Sequence, residues 1–328
     1  MHPLEHYVRL FSNLRRAPGS IWPDTTKNQA PHKPILLFSV LDMAAIGQLP
    51  SNYIDISGDL NELNDLFHTY WNRVVPSGQI SSIAFPFSRL HNEGFWKLVP
   101  KPGNAKDLSW ISNISTVSQL RDRALGAEID KDLFYYMQDD KNRNMLRQAL
   151  LQSYFSEQAQ REIEAQTRII TEAYSYSLEL IQRSHEPIVS AIVETDIYKP
   201  LHVRDQGFRR AVVTTYDHRC ALCGVRMITP EGHTAVDAAH IVPWSESHND
   251  DIRNGMALCK LCHWTFDEGF IGVSEGYTVL VAHQLASKPN MPGLLYTLQG
   301  RSIIPPTDKD LWPSQEYLKR HRHKFDLY

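Results

Sequence analysis

The chain has 328 residues, of which 42% are hydrophobic and 22% charged, and a formal net charge of −3. That length predicts two domains joined by a connector, and the composition is ordinary for a globular protein. No apolar run reaches membrane-spanning length and the opening MHPLEHYVRL lacks a secretory apolar core, so the chain reads as cytoplasmic with no membrane partner; with no global positive charge, any nucleic-acid contact has to come from local basic patches.

In chain order, residues 4–14 place Leu4, Tyr7, Val8, Phe11 and Leu14 on one helical face. A second helix is predicted over 32–47, with Pro34 in its first turn and Gly47 as its stop. A third, over 59–74, repeats the helical period through Leu60, Leu63, Leu66, Phe67, Tyr70, Trp71 and Val74. The aromatic stretches ISSIAFPFSRL and EGFWKLV then predict a strand pair near 80–99. From 115 to 185 the pattern is helical throughout. Residues 156–183 contain no Gly or Pro and predict a helix about 40 Å long, read either as a connector packed on the first domain or as a homodimer helix. Its apolar positions are Ile163, Ile169, Ile170, Ala173, Tyr174, Leu178 and Ile181. The pattern breaks at SHEP (184–187) and YKP (198–200), where a linker is expected. The basic run LKRHRHK (318–324) reads as a solvated tail or a local DNA contact.

All four cysteines fall between 220 and 262, as Cys220-x2-Cys223, a 35-residue insert and Cys259-x2-Cys262. A disulfide framework would scatter them, so the spacing predicts a metal site. Four thiolates complete a tetrahedral zinc ion and leave no open position, which makes that zinc structural.

The insert and the residues beyond it contain AAHIVPW (238–244), NGMALC (254–259) and HWTFDEG (263–269). Together these resemble an HNH endonuclease domain of the ββα-metal type over about residues 205–285. The resemblance implies that His240 activates water, that Asn254 holds the strand pair and orients that histidine, and that His263 binds a divalent cation, Mg2+ or Mn2+ or another. The chemistry agrees: a neutral imidazole suits proton removal from water, and phosphodiester cleavage needs a cation against the developing charge. Asp267, four residues after His263, shares its helical face and can converge on the same ion. Many HNH nucleases carry a metal-binding Asp or His directly before the general base. Here that position is Ala239, so Asp237, on the same side of a strand, is the expected substitute ligand.

In the first domain, APHKPILL (30–37) and AFPFSRLHNEGFWKL (84–98) resemble the sulfur-binding domain of type IV, modification-dependent restriction enzymes, over roughly residues 1–155. Such domains recognise double-stranded DNA in which sulfur replaces a non-bridging phosphate oxygen. Sulfur is larger and more weakly hydrated than oxygen, so an apolar cup favours it. The resemblance implies a cup made by Phe85 and Pro86, with His32, Lys33 and Arg89 on the phosphate charge or base edges. Arg15, Arg16, Lys27 and Arg73 are expected to add backbone contacts.

The fold class is therefore expected to be α+β. A mostly helical reader domain with a small strand pair (1–155) precedes a helical connector (156–200) and an HNH domain with a four-cysteine zinc ribbon and basic tail (201–328). The leading function is an endonuclease directed to phosphorothioate DNA. Two alternatives stay open: an HNH enzyme reading methylated or otherwise modified bases, and a DNA-binding regulator with an idle finger. Base readers stack a flipped base between aromatics, and no clear aromatic pair stands out for that, although Trp22 and Trp71 are unassigned.

Overall fold

The computed structural model describes residues 2–17, 19, 21–76, 78–79, 81–105, 108–187, 199–230, 232–286 and 293–328. The chain divides into two compact units, residues 1–171 with 229–233 and residues 172–228 with 234–328. The linker expected within 184–200 lies largely outside the described residues, at 188–198. No described helix is long and apolar enough to cross a membrane.

The first unit opens with α1 (Leu4–Ser12) and α2 (His32–Ala45), then β1 (Tyr53–Asp55), α3 (Leu60–Val74) and α4 (Ala84–Arg89). It continues through β2 (Trp96–Pro100), α5 (Val117–Arg123), β3 (Ala124–Ile129), α6 (Lys131–Gln138), α7 (Asp140–Tyr154) and the start of α8 (Glu157–Arg183). Helix α2 is buried from Lys33 to Ala44, so its apolar residues run all round rather than along one stripe. It is the central post, packed by α3, α4, α6 and α7. One charge inside it, Asp42, is fully buried and pairs with Arg147 at 2.5 Å while accepting from the Tyr70 hydroxyl.

The strand pair expected at 80–99 is not formed. Ile83, Ala84, Phe87 and Leu90 are buried at three- and four-residue steps, so AFPFSRL is helical, and Pro86 sits in its first turn where a missing N–H costs little. Only the second half, β2, is a strand. It pairs antiparallel with β3, which also pairs with β1, giving the order β1–β3–β2. Strand β3 interrupts the stretch read as helical from 115 to 185. Only Leu125 and Glu128 are exposed along it, and Ala124, Ala127 and Ile129 close over the core.

The second unit holds the end of α8, then α9 (Leu201–Thr215), β4 (Val236–His240), α10 (Trp244–Ser247), β5 (Gly255–Cys259) and α11 (Lys260–Asp267). Strands β6 (Ile271–Val273) and β7 (Val279–Val281) and helix α12 (Gln315–Phe325) complete it. Strands β4 and β5 pair antiparallel with His240 opposite Gly255, and α11 follows β5 directly. Helix α9 covers this ladder, and α12 lies against β6. The basic run at 318–324 is therefore part of a packed helix and not a solvated tail: Leu318, His321 and Arg322 are buried. The class is α+β, as the sequence leads one to expect.

Candidate active site

The four cysteines come together from two places. Cys220 and Cys223 sit in the turn after α9, closed by the Gly224 amide donating to the Cys220 carbonyl at 2.9 Å. Cys259 ends β5 and Cys262 lies in the first turn of α11. Their sulfur atoms all lie within 4.8 Å of one another, and Cys223 Sγ is 3.7 Å from Cys259 Sγ. A tetrahedral ion with metal–sulfur bonds near 2.3 Å requires sulfur separations of about 3.8 Å, so this cluster fits a metal such as zinc. Among the described residues it is the one group of three or more potential ligands so assembled.

His240 is the last residue of β4. Its imidazole lies parallel to the Phe208 ring of α9, with centroids 3.9 Å apart and planes at 4°. Its Nε2 is 2.7 Å from Oδ1 of Asp250, a carboxylate with no exposure to solvent. Asn254 is fully buried, and its side-chain hydrogen bonds go to the backbone rather than to the imidazole. Its Oδ1 accepts from the Val242 amide at 2.9 Å, and its Nδ2 donates to the carbonyls of Val242 and Asn249 at 3.0 and 3.1 Å. It thereby staples the irregular loop that leaves His240, fixing the histidine through the backbone.

His240, His263 and Asp267 line one cleft of about 350 Å³, with Trp244, His321 and Lys324. His263 Nε2 and Asp267 Oδ2 are 3.5 Å apart on one face of α11, close enough to share an ion. Burial holds the Asp267 carboxyl above its ordinary range, and the charge of His263 opposes that. Asp237 is not brought to this cleft. Strand alternation puts Ala238 and His240 on the cleft side and Asp237 on the other, where Arg209 Nε donates to its carboxylate at 2.8 Å.

Asp250 and Phe208 are residues the sequence did not single out, and His321 and Lys324 entered it only as members of the basic run 318–324. Asp250 and Asp251 are adjacent in a loop, and only the first is fully buried. His321 is stacked on Phe266 at 3.7 Å and its Nε2 meets the Phe266 carbonyl at 2.9 Å. Burial pushes its imidazole down to about 4. Lys324 pairs with Glu246 at 2.5 Å beside the cleft.

In the first unit a cavity of about 500 Å³ gathers Arg15, Arg16, His32, Lys33, Phe85 and Arg89, walled further by Trp22, Leu108 and Ile111. Arg89 stacks on Phe85 with its guanidinium 3.8 Å from the ring centroid, and donates to the carbonyls of Ile114 and Ser112 at 3.1 and 2.7 Å. The His32 ring is 5.0 Å from Phe85 and 4.7 Å from Trp71. Burial, with Arg89 adding to it, pushes His32 down to about 4, so at neutral pH it is uncharged. Lys33 is ion-paired with Glu93. Two residues of the expected set are elsewhere. Pro86 is buried within α4 and does not line the cavity, because the helix turns it to the core; Arg73 is exposed on α3, away from it. Lys27 is also outside the cavity, its Nζ donating to the Gln152 carbonyl at 2.6 Å.

The ladder, the helix after it and the cysteine cluster together coincide with a match to a known family model. Residues 220–274 match the model of an HNH endonuclease family. This HNH segment contains all four cysteines, His240, Asn254, His263 and Asp267. No curated protein matches the chain. Among solved structures, a chain titled "Modification dependent TagI restriction endonuclease" aligns at 21% identity over 36% of this chain and 36% of that one, with a TM-score of 0.27.

Proposed function

We propose that the protein is a metal-dependent DNA endonuclease whose first unit reads phosphorothioate-modified double-stranded DNA. The observation that carries the nuclease reading is the shared cleft: His240 faces the same space as His263 and Asp267, within the HNH segment. In this reading His240 takes the proton of the attacking water and Asn254 holds the loop that aims it. His263 and Asp267 hold a divalent cation, Mg2+ or Mn2+, which when bound stabilises charge on the phosphoryl oxygens. The four cysteines hold zinc and keep β5 and α11 in place.

The modification reading rests on the cavity of the first unit. Phe85, Trp22, Leu108 and Ile111 supply apolar wall, and Arg15, Arg16 and Arg89 supply positive charge. That combination suits an anion with one poorly hydrated atom, because sulfur loses less hydration than oxygen against such a wall. Phe85, without Pro86, makes the cup. A flipped, methylated base is less well served: Trp71 is buried, and Trp22 stands perpendicular to it at 88° with no parallel slot between them. The regulator alternative leaves the His240 cleft without a purpose.

Matched plasmids with and without phosphorothioate, incubated in Mg2+ or Mn2+, test both parts. The wild type should cut the modified plasmid alone, and chelation of the weaker metal should stop it. His240→Ala should bind the plasmid as before while cutting at least about a hundredfold more slowly. Equal cutting of both plasmids would overturn the modification reading; undiminished cutting by His240→Ala would overturn the nuclease assignment.

A further inference from the structure

Asp250 is ten residues after His240, in the loop between α10 and β5, and neither the family match nor the sequence motifs assign it a role. Its two oxygens have separate work. Oδ2 accepts from the Tyr176 hydroxyl of α8 at 3.2 Å and lies 3.4 Å from Nε of Arg204 on α9. Oδ1 is left to His240 Nε2, at 2.7 Å. A carboxylate only accepts, so His240 Nε2 must carry the hydrogen. The neutral ring then has its lone pair on Nδ1, which has no hydrogen-bond partner among the described residues. Phe208, parallel to the ring at 3.9 Å, prevents the imidazole from rolling out of this arrangement.

We propose that Asp250 is a positioning residue that fixes His240 in its Nε2–H tautomer, so that Nδ1 is the atom that receives the proton of the attacking water. This rests on the reading of His240 as the base. In the step itself a water O–H bond breaks and its proton goes to Nδ1. The water oxygen bonds to phosphorus, and the ester oxygen departs with the P–O electron pair. Asp250 takes no proton; it faces the imidazolium that forms and stabilises it across the Nε2–H bond.

A purely structural buried carboxylate would tie α8 and α9 to the loop with no consequence for the imidazole proton. The substitution Asp250→Asn separates the two roles. Tyr176 and Arg204 both present donors, so the Asn oxygen is drawn to them and its NH2 group turns to His240. Nε2 must then accept, the proton moves to Nδ1, and the atom that should take the water's proton is already occupied. Asp250 is fully buried, so plasmid affinity has no direct reason to change.

The experiment is ¹⁵N NMR of the full chain labelled at histidine, at alkaline pH, with His240 assigned by difference against His240→Gln. Kinetics of plasmid cutting by wild type and Asp250→Asn accompany it. We expect the Nε2–H tautomer in the wild type and the Nδ1–H tautomer in Asp250→Asn. We also expect kcat to fall at least about a hundredfold in the variant with plasmid affinity unchanged. An Nδ1–H tautomer in the wild type overturns the proposal even if the variant fails to fold. So does a variant that loses activity while keeping the wild-type tautomer, since that is the structural outcome. Failure of the nuclease reading looks different: His240→Ala would still cut, whatever the tautomer of His240.

Discussion

His32 and Arg15 line the same cavity and differ in what they bring to a phosphate. His32 is held neutral, with burial pushing it down to about 4, so near pH 7 it offers shape and a hydrogen bond but no charge. Arg15 is exposed at the cavity's edge and brings a guanidinium. Each phosphate neutralised by a cation adds roughly one unit to the slope of log affinity against log salt. Arg15→Ala should therefore lower that slope by about one for modified and unmodified duplexes alike, whereas His32→Gln should leave the slope in place and alter only the preference for sulfur. Titrations at several salt concentrations separate the two; a fall in slope for His32→Gln would show that the ring is charged on DNA. At this scale the sequence was legible where chemistry is carried by spacing. The two C-x2-C pairs meet, and His240 shares a cleft with His263 and Asp267. It was opaque where a role depends on a turn of the chain. Pro86 faces the core, Asp237 faces Arg209, and Asp250 reaches His240 from an irregular loop, its own other partners standing on α8 and α9.

Helix α4 and strand β3 mark what local pattern misses at the next scale. AFPFSRL is rich in aromatics, which favours a strand reading, yet its buried apolar residues Ala84, Phe87 and Leu90 are spaced by three. Strand β3 is six residues between two helices, too short to stand out from helical surroundings. The long, strongly periodic helices α3 and α8 run close to their expected bounds. The ladder that carries the site depends on one small residue that enters the sequence motifs only as part of NGMALC. Gly255 faces His240 across the β4–β5 pair, with ordinary extended backbone, so space rather than conformation requires it. A Cβ there would lie 2.6 Å from Val212 Cγ2 and 2.9 Å from Phe208 Cζ. Both belong to α9, and Phe208 is the ring on which His240 stacks. Gly255→Ala must push α9 off the ladder or tilt Phe208. We expect a loss of about 1–3 kcal/mol by denaturant unfolding, together with slower cutting. Full stability and full activity in this variant would mean that α9 does not sit on the ladder as described.

Two strands of a duplex need two cuts, and the whole molecule has one His240 cleft. The long helix reads either as a connector packed on the first domain or as a pairing surface for two copies, and its residues offer little for pairing. Of the seven apolar positions along α8, Ile163, Ile170 and Ala173 are buried within the chain. Ile169, Tyr174 and Ile181 are half-buried; Arg210 stacks over Tyr174, and Ile181 packs on the core of the second unit. Leu178, 49% exposed, is the one of the seven left facing solvent. A stable dimer buries about 800 Å² on each partner around an apolar centre, which a single leucine does not supply. Helix α8 is spent on intrachain packing. We therefore expect light scattering at micromolar concentration to give a mass near 37.7 kDa, and cutting to depend on the first power of enzyme concentration. Each encounter then breaks one strand. A supercoiled modified plasmid should pass through an accumulating open-circle form, and linear product should appear only as a second, independent nick falls opposite the first. A doubled mass in the presence of DNA, or linear product without an open-circle intermediate, would show that a surface other than α8 pairs two copies on the duplex.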